Sequence, residues 1–186
     1  MAVAPKPLTL EQFQTLPEEE PALEFAEGMV TQKVSPQGKH SRLHSVLVQH
    51  LDRAGQAGNV AVAFPELRTT FAGASTVPDI AVYRWNRIPV DKKGQVANRF
   101  TKPPDITVEI ASPDQSVTGL VRRCLWYVSN GVAVALLVDP ADESVLAFRP
   151  NQPMQAWKGS DRIDVSDILP DFELTVEDLF ASLKVR

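Results

Sequence analysis

The sequence predicts an α/β domain built on a mixed β-sheet, because amphipathic helical segments alternate with short apolar segments of strand periodicity. The chain has 186 residues, which suits one hydrophobic core, and we expect a single domain over residues 1–186. Hydrophobic residues make up 44% and charged residues 23% of the chain, values that exclude disordered and fibrous classes. We divide the domain into an N-terminal helix and hairpin (1–36), a core (37–149) and a C-terminal strand and helix extension (150–186).

Local signals predict the elements at the N-terminal end. Thr9 and Gln12 form a capping-box pattern, which predicts a short helix that ends at Pro17. Glu27-Gly28 lies between two short apolar stretches and predicts the turn of a β-hairpin. At the other end, residues 163–174 are expected to be extended and irregular, and a helix is predicted to follow the N-cap residue 175.

The core is predicted to run helix, three strands, helix, strand. Apolar residues recur at helical spacing from Lys39 to Ala54, and Gly55 and Gly58 are expected to end this helix. A second helix is predicted over 117–130. Strand patterns are present at residues 60–64, 77–83 and 105–111. Residues 133–138 are apolar on both faces, as in a central buried strand, and a further strand is predicted at 145–148.

Targeting signals and disulfides are not indicated. The apolar runs are too short to cross a bilayer, and the N-terminus lacks the pattern of a secretion signal, so we expect a cytoplasmic protein that does not bind membranes. The single cysteine, Cys124, excludes a disulfide within the chain and a cysteine-based zinc site. We expect Cys124 to be a buried thiol.

Positive charge is concentrated in the middle of the chain, although the net charge is −4. Residues 37–132 carry 12 basic and 7 acidic groups, whereas both flanking segments are acidic. The net charge argues against a polyanion-binding protein, but the basic middle allows a local positive field. A loop over 84–102 fits either contacts with DNA phosphates or a solvated surface loop. Its basic residues are Arg84, Arg87, Lys92, Lys93, Arg99 and Lys102.

Two carboxylates interrupt the apolar pattern of the core strands. Asp79 follows Pro78 at the second strand, and Glu109 lies between Val108 and Ile110 in the third. A carboxylate is costly to bury in a packed sheet, so both positions call for a reason. If the strands are neighbours, a cation between the two side chains offsets their repulsion. Hard oxygen ligands suit Mg²⁺ or Mn²⁺, and such ions promote phosphodiester hydrolysis.

These residues, in this order of elements, resemble the PD-(D/E)XK nuclease superfamily, which has a restriction-endonuclease-like core. More specifically, the chain is similar to a large bacterial family of predicted restriction endonucleases of unknown function. Pro78-Asp79 and Glu109, thirty residues later, carry the superfamily resemblance. Matches to the family cover nearly the whole chain and comprise Glu24 with Glu27-Gly28, Ser35-Pro36 before His40, Pro103-Pro104-Asp105, Ser112-Pro113, Asn130-Gly131-Val132, Leu137 to Pro140, and Leu169-Pro170 with Phe172.

The resemblance implies that Asp79 and Glu109 hold the metal, with the backbone carbonyl of Ile110 as a third ligand. The superfamily's lysine would stand two residues after Glu109, where this chain has Ala111. In this family the lysine lies in the following helix, at the position of Arg123. Arginine can bind and neutralise a phosphate, but it cannot exchange a proton as lysine can.

Three accessory site residues are also expected. Glu24 and His40 match family positions near the cleft, and helical spacing places Tyr127 beside Arg123. His40 and His44 are four residues apart on a helix, but no third ligand in register supports a zinc site.

The main site residues each have a plainer interpretation. Asp79 fits a turn after proline, Glu109 a solvated position on an edge strand, and Arg123 a surface arginine of a helix.

The sequence supports three functional hypotheses. The first is an endonuclease that hydrolyses DNA with Mg²⁺ or Mn²⁺ and acts as a homodimer, because cutting a duplex calls for two active sites. The second is a catalytically inactive module of the same fold that binds nucleic acid or assembles with partners, which the arginine at position 123 favours. The third, a phosphodiesterase for small molecules, has only the acidic surface in its favour.

Overall fold

The computed structural model describes residues 7–185 and forms two β-sheets with four α-helices packed on them. The expectation about a secretion signal falls in part on residues 1–6, which lie outside the described residues. The helices are α1 (Leu10–Phe13), α2 (Gly38–Ala57), α3 (Val117–Ser129) and α4 (Val176–Ala181). The predicted N-caps of α1 and α4 are confirmed. The side chains of Thr9 and Thr175 accept hydrogen bonds from the backbone N–H groups of Gln12 and Asp178, respectively.

A six-stranded mixed sheet forms the centre of the domain. Its strand order is β10-β9-β8-β7-β6-β3, and only the β7–β8 pair is parallel among the described strands. This architecture confirms the predicted mixed α/β class and the predicted central strands. The strands are β3 (Ala61–Pro65), β6 (Ile80–Arg84), β7 (Ile106–Ile110), β8 (Val134–Asp139), β9 (Ser144–Phe148) and β10 (Gln155–Lys158).

A second, four-stranded sheet corrects the predicted order of elements. Its strands are antiparallel and comprise β1 (Leu23–Ala26), β2 (Met29–Gln32), β4 (Thr69–Phe71) and β5 (Ala74–Thr76), in the order β2-β1-β5-β4. The predicted N-terminal hairpin is present, and Gly28 has the positive φ that its turn requires. The β4–β5 hairpin was not predicted, so five strands, not three, separate α2 from α3. Strands of three residues are too short to show a periodicity.

The six-stranded sheet has different helices on its two faces. One face packs against α2, α4 and the C-terminal extension and includes Ile106, Val108 and Ile110. The other face packs against α3, whose Cys124 is a fully buried thiol, as predicted. Because side chains alternate along a strand, Glu109 projects toward α3. Within residues 7–185, no helix combines the length and apolarity that a membrane span requires.

Gly55 does not end α2 as the sequence had indicated. The helix continues to Ala57, and Gly58 follows it. A Cβ atom at Gly55 would stand 2.4 Å from the carbonyl oxygen of Ala61, the first residue of β3. Gly55 is therefore required for the close approach of α2 to the sheet.

We expect Gly55→Ala to lower the free energy of unfolding by about 1–3 kcal/mol, because the added methyl overlaps backbone atoms that cannot move cheaply. Gly38→Ala is the matched control, since no atom lies within 4 Å of a Cβ there. It should be neutral or stabilising by up to about 1 kcal/mol. Urea unfolding of both variants measures the difference, and equal effects at the two glycines would contradict the packing argument.

Candidate active site

Asp79 and Glu109 come together at the adjoining ends of β6 and β7. The two strands are antiparallel, and Ile80 pairs with Val108. One step further in the same register, Asp79 is opposite Glu109. The backbone N–H of Ile110 donates a hydrogen bond of 2.7 Å to Asp79 Oδ2, which places the Asp79 carboxylate against the end of β7. Both side chains are about 95% buried.

Asp79 is held by contacts from three other segments. Its Oδ1 accepts a hydrogen bond of 2.8 Å from Lys33 Nζ, and its Oδ2 lies 3.0 Å from His40 Nε2 on α2. Its backbone carbonyl accepts bonds from the N–H of Glu66 and from His44 Nε2, both at 2.9 Å. The side chain is therefore fixed, and it is surrounded by hydrogen-bond donors. The turn interpretation of Asp79 does not account for this set of contacts.

Glu109 lies in a second cluster, which α3 and β1 complete. Arg123 Nε and the Tyr127 hydroxyl each donate a bond of 2.7 Å to Glu109 Oε1. The Arg123 guanidinium also binds both carboxylate oxygens of Glu24, one of them at 2.7 Å. Glu24 accepts in addition the backbone N–H of Val77 at 2.6 Å. The structure thus brings together all of the predicted accessory and central residues around the ends of β6 and β7.

The two central carboxyl groups differ in how easily they ionise. Burial opposes ionisation of Asp79, but the hydrogen bond with His40 and the charge of Lys33 outweigh it and hold its pKa well below the usual range. For Glu109, burial is the largest effect and raises the pKa to about 7, although the charge of Arg123 acts in the opposite direction. The nearby charge of Asp79 raises it further. The surroundings of Asp79 therefore favour its ionised form, whereas burial and the charge of Asp79 favour the protonated form of Glu109.

Lys33 was missed by sequence reasoning. It follows β2 directly, and its side chain is only 11% exposed. The only local signal was a lysine next to a predicted hairpin strand, which is also the usual position of a solvated residue. No sequence pattern connects residue 33 with residue 79, because the contact depends on how the hairpin packs over the sheet.

His40 and His44 on α2 both contact Asp79 and do not form a metal pair with each other. Their Nε2 atoms contact the side chain and the carbonyl of Asp79, respectively. Among residues 7–185, no three His, Cys, Asp or Glu side chains are grouped as ligands of one ion. The zinc hypothesis therefore has no support in the described part of the chain.

The basic loop divides into structural and exposed residues. Arg84 and Arg87 bind the buried Asp105 at 2.7 and 2.6 Å, so the charges of these two arginines are engaged within the protein, although both side chains are partly exposed. Asp105 is fully buried and depends on them. The other basic residues of the loop, Lys92, Lys93, Arg99 and Lys102, are exposed.

A cavity of about 460 Å³ opens next to the carboxylates. His40 at the start of α2 and Ala111 after β7 line it, together with residues 139–141 after β8. Arg123 is 25% exposed, so its guanidinium reaches solvent from within the cluster. The cavity is therefore lined by neighbours of the two carboxylates, whereas Asp79 and Glu109 themselves are not among its lining residues.

The fold and the paired strand-end carboxylates define a restriction-endonuclease-like protein. The model of the family described as "Uma2: Putative restriction endonuclease" matches residues 10–177. This protein belongs to the Uma2 family, which confirms the family resemblance seen in the sequence.

A solved structure of a related protein shows the same fold. A crystal structure from Anabaena variabilis ATCC 29413, described as "a putative nuclease belonging to DUF820", is 40% identical and superposes with a TM-score of 0.92. The match covers 96% of this chain and 100% of that one. A cryo-electron microscopy structure described as "DrdV-DNA complex" is 12% identical, with a TM-score of 0.42 over 73% of this chain and 95% of that one, which is too low to inform the fold. A comparison with curated proteins gives no significant match.

The two carboxyl groups are expected to affect stability with opposite dependence on pH. The folded-state pKa of Glu109 exceeds its ordinary value of 4.5, so the stability that its protonated form contributes is complete below pH 4.5 and is lost as the pH rises to about 7. We expect the stability of Glu109→Gln relative to the wild type to increase over this interval, by on the order of 3 kcal/mol.

Asp79→Asn is the matched comparison. The pKa of Asp79 is lowered from 3.8, so its contribution is present above pH 3.8 and is lost as the pH falls further. Asp79→Asn should therefore be less stable than the wild type at pH 5 and pH 8, and the difference should narrow toward pH 3. Urea unfolding at these three pH values tests both variants. A relative stability of Glu109→Gln that is the same at pH 5 and pH 8 would show that Glu109 is ionised throughout.

Proposed function

We propose that this protein is a divalent-metal-dependent endonuclease that hydrolyses phosphodiester bonds in DNA. The observation that supports the proposal most is the pairing of Asp79 with Glu109 at the ends of neighbouring strands, beside an open cavity. Membership of the Uma2 family supports the same reaction class. The cleavable substrate would lie in the cavity, with its phosphate at the carboxylates.

The donor set fits one hard divalent ion such as Mg²⁺ or Mn²⁺. The proposed ligands are the carboxylates of Asp79 and Glu109 and the backbone carbonyl of Ile110, all of them oxygen donors. The bonds that Glu109 accepts from Arg123 and Tyr127 both use Oε1, so Oε2 stays available to a ligand. When bound, the ion would supply Lewis acidity, which eases deprotonation of water and offsets negative charge on the phosphoryl oxygens.

The other side chains of the site would position these groups and balance their charge. Arg123 and Tyr127 fix the orientation of Glu109, and Glu24 in turn fixes Arg123. Three of the five guanidinium N–H groups of Arg123 point at Glu24 and Glu109, so two remain for a phosphate oxygen. His40 holds Asp79 in place from α2. In this proposal Arg123 contributes positive charge to the transition state but does not transfer a proton.

A catalytically inactive module that binds nucleic acid is the second candidate. Two observations favour it: arginine stands at the family's lysine position, and both central carboxylates already have cationic partners, Lys33 and Arg123. A homodimer is part of the first proposal, because two active sites are needed to cut both strands of a duplex.

Cleavage of supercoiled plasmid DNA separates the two candidates. We expect cutting with Mg²⁺ or Mn²⁺, and we expect Asp79→Ala and Glu109→Ala each to reduce the rate by at least about a hundredfold, because each removes a proposed metal ligand. Glu19→Ala removes an exposed carboxylate outside the site and serves as the control. DNA binding without cutting under either metal would favour the inactive module.

Arg123→Lys tests what the arginine contributes to this reaction. Lysine cannot bind both oxygens of Glu24 while it also reaches Glu109, so we expect a lower cleavage rate with the same metal requirement. The rate of plasmid cleavage by this variant and the wild type is the measurement. A higher rate in Arg123→Lys would instead mark the wild-type site as a decayed one that the family's lysine restores.

The exposed basic residues of the loop are expected to bind the DNA backbone. Lys92→Ala combined with Lys93→Ala should weaken binding to all DNA sequences alike and lower the slope of log affinity against log salt by about 0.9 for each phosphate that the variant no longer neutralises. Lys184→Ala, which removes an exposed charge near the C-terminal end, is the control. Fluorescence anisotropy at several salt concentrations measures both quantities, and an unchanged slope would place DNA elsewhere.

A further inference from the structure

Lys33 occupies a cation position at the carboxylates. Its Nζ donates to Asp79 Oδ1 at 2.8 Å, and it also lies in the field of Glu109. The side chain is 89% buried, so water screens the ammonium only weakly. A divalent ion bound by Asp79 and Glu109 would lie close to this ammonium group and would be repelled by it, because both cations would contact the Asp79 carboxylate.

Glu66 offers Lys33 a second partner outside the site. Its Oε1 lies 3.7 Å from Lys33 Nζ, and its side chain is 53% exposed. The backbone N–H of Glu66 donates to the carbonyl of Asp79 at 2.9 Å, which keeps the Glu66 carboxylate close to that of Asp79. A small movement of the flexible lysine side chain therefore exchanges one carboxylate for the other.

We propose that Lys33 competes with the divalent cation for Asp79, and that its ammonium group moves to Glu66 when the cation binds. The inference rests on the proposed metal site at Asp79 and Glu109. In the metal-free protein, Lys33 supplies the ammonium charge next to the buried Asp79 carboxylate, which also contacts His40 and the backbone N–H of Ile110. In the metal-bound protein, Glu66 holds the displaced ammonium and limits its repulsion of the ion.

The exchange predicts opposite changes in metal affinity when Lys33 is removed and when Glu66 is removed. Without the ammonium, the ion meets no competing charge, so metal affinity rises. Without the Glu66 carboxylate, the displaced ammonium has no partner, so metal affinity falls. The second effect acts through Lys33 and must disappear when Lys33 is absent. A general electrostatic effect of Glu66 on the ion would persist.

Mn²⁺ binding to the full chain, followed by the electron paramagnetic resonance signal of free Mn²⁺ at fixed pH, tests the exchange in a double-mutant cycle. We expect Lys33→Met to tighten Mn²⁺ binding by roughly tenfold or more. Glu66→Gln should weaken it, and Glu66→Gln in the Lys33→Met background should change it little. Lys158→Met removes an exposed lysine of the edge strand β10, which does not line the cavity, and measures the effect of net charge.

Thermal unfolding provides a second readout. In EDTA, Lys33→Met should unfold at a lower temperature than the wild type, because the Asp79 carboxylate loses its contact with the Lys33 ammonium in this variant. Mn²⁺ should raise the unfolding temperature of this variant more than that of the wild type. Glu66→Gln changes an exposed side chain without loss of volume, so its effect on affinity is measurable even if Lys33→Met does not fold.

The outcomes separate this inference from the proposed function. If Mn²⁺ binds the wild type and Glu109→Gln abolishes binding, but Lys33→Met binds no more tightly than Lys158→Met, the exchange is overturned and the metal site stands. An unchanged affinity in Glu66→Gln also overturns the exchange. If neither the wild type nor Lys33→Met binds Mn²⁺, both proposals fail. If Lys33→Met binds Mn²⁺ more tightly but the wild type does not cleave DNA, the exchange is supported and the proposed nuclease activity is contradicted.

Discussion

The ion pair that Arg123 makes with Glu24 and Glu109 is the interaction on which the candidate site depends. Glu24 belongs to β1 in the four-stranded sheet, and Glu109 belongs to β7 in the six-stranded sheet. Both carboxylates are about 95% buried, and a buried charge without a partner typically costs about 3–5 kcal/mol. One guanidinium on α3 thus neutralises carboxylates from two sheets and holds the N-terminal hairpin over the site. Lys33, which follows β2 of the same hairpin, reaches Asp79 because of this packing.

The two central carboxylates have different environments, although they face each other across two strands. Asp79 has the N–H of Ile110, Lys33 and His40 around it, and these donors favour its ionised form. Within residues 7–185, Glu109 has one cationic neighbour in direct contact, Arg123, which divides its charge between Glu109 and Glu24. The surroundings therefore favour the ionised form of Asp79 and disfavour the ionised form of Glu109. This asymmetry avoids two unpaired anions in a buried place.

The elements that could be predicted are those whose apolar pattern repeats over many residues. The apolar patterns of α2, β7 and α3 each extend over enough positions to define a period, and all three elements are present, although Leu125 of the α3 pattern is exposed. The β4–β5 hairpin has only three residues in each strand, and its Ala72-Gly73 turn lacks the asparagine or aspartate that marks most tight turns. Gly55 has the local pattern of a helix end, but its role depends on β3, which contacts it in space.

In the candidate site, too, residues with a local sequence signal were predicted, whereas contacts between distant segments were not. Asp79 and Glu109 were found because each interrupts an apolar strand, and their proximity followed from the expected neighbouring strands. Arg84 and Arg87 looked equivalent to the lysines of their loop, but Asp105, about twenty residues later, binds both. Lys33 and Asp79 are 46 residues apart, and their contact depends on the packing of the hairpin. Pairs of this kind leave no periodic signal in a single sequence.

Arginine at position 123 also has a structural meaning that a comparison of single positions does not give. The planar guanidinium binds both oxygens of Glu24 and, through Nε, reaches Glu109 at the same time. An ammonium group carries the same charge but has no fixed fork, so it cannot make this bidentate contact. The geometry of Glu24 therefore suits an arginine at position 123, and this arginine keeps the positive charge that a lysine would place next to Glu109. What the arginine removes is a group that could give up a proton, and in this chain Lys33 supplies an ammonium group on the other side, at Asp79.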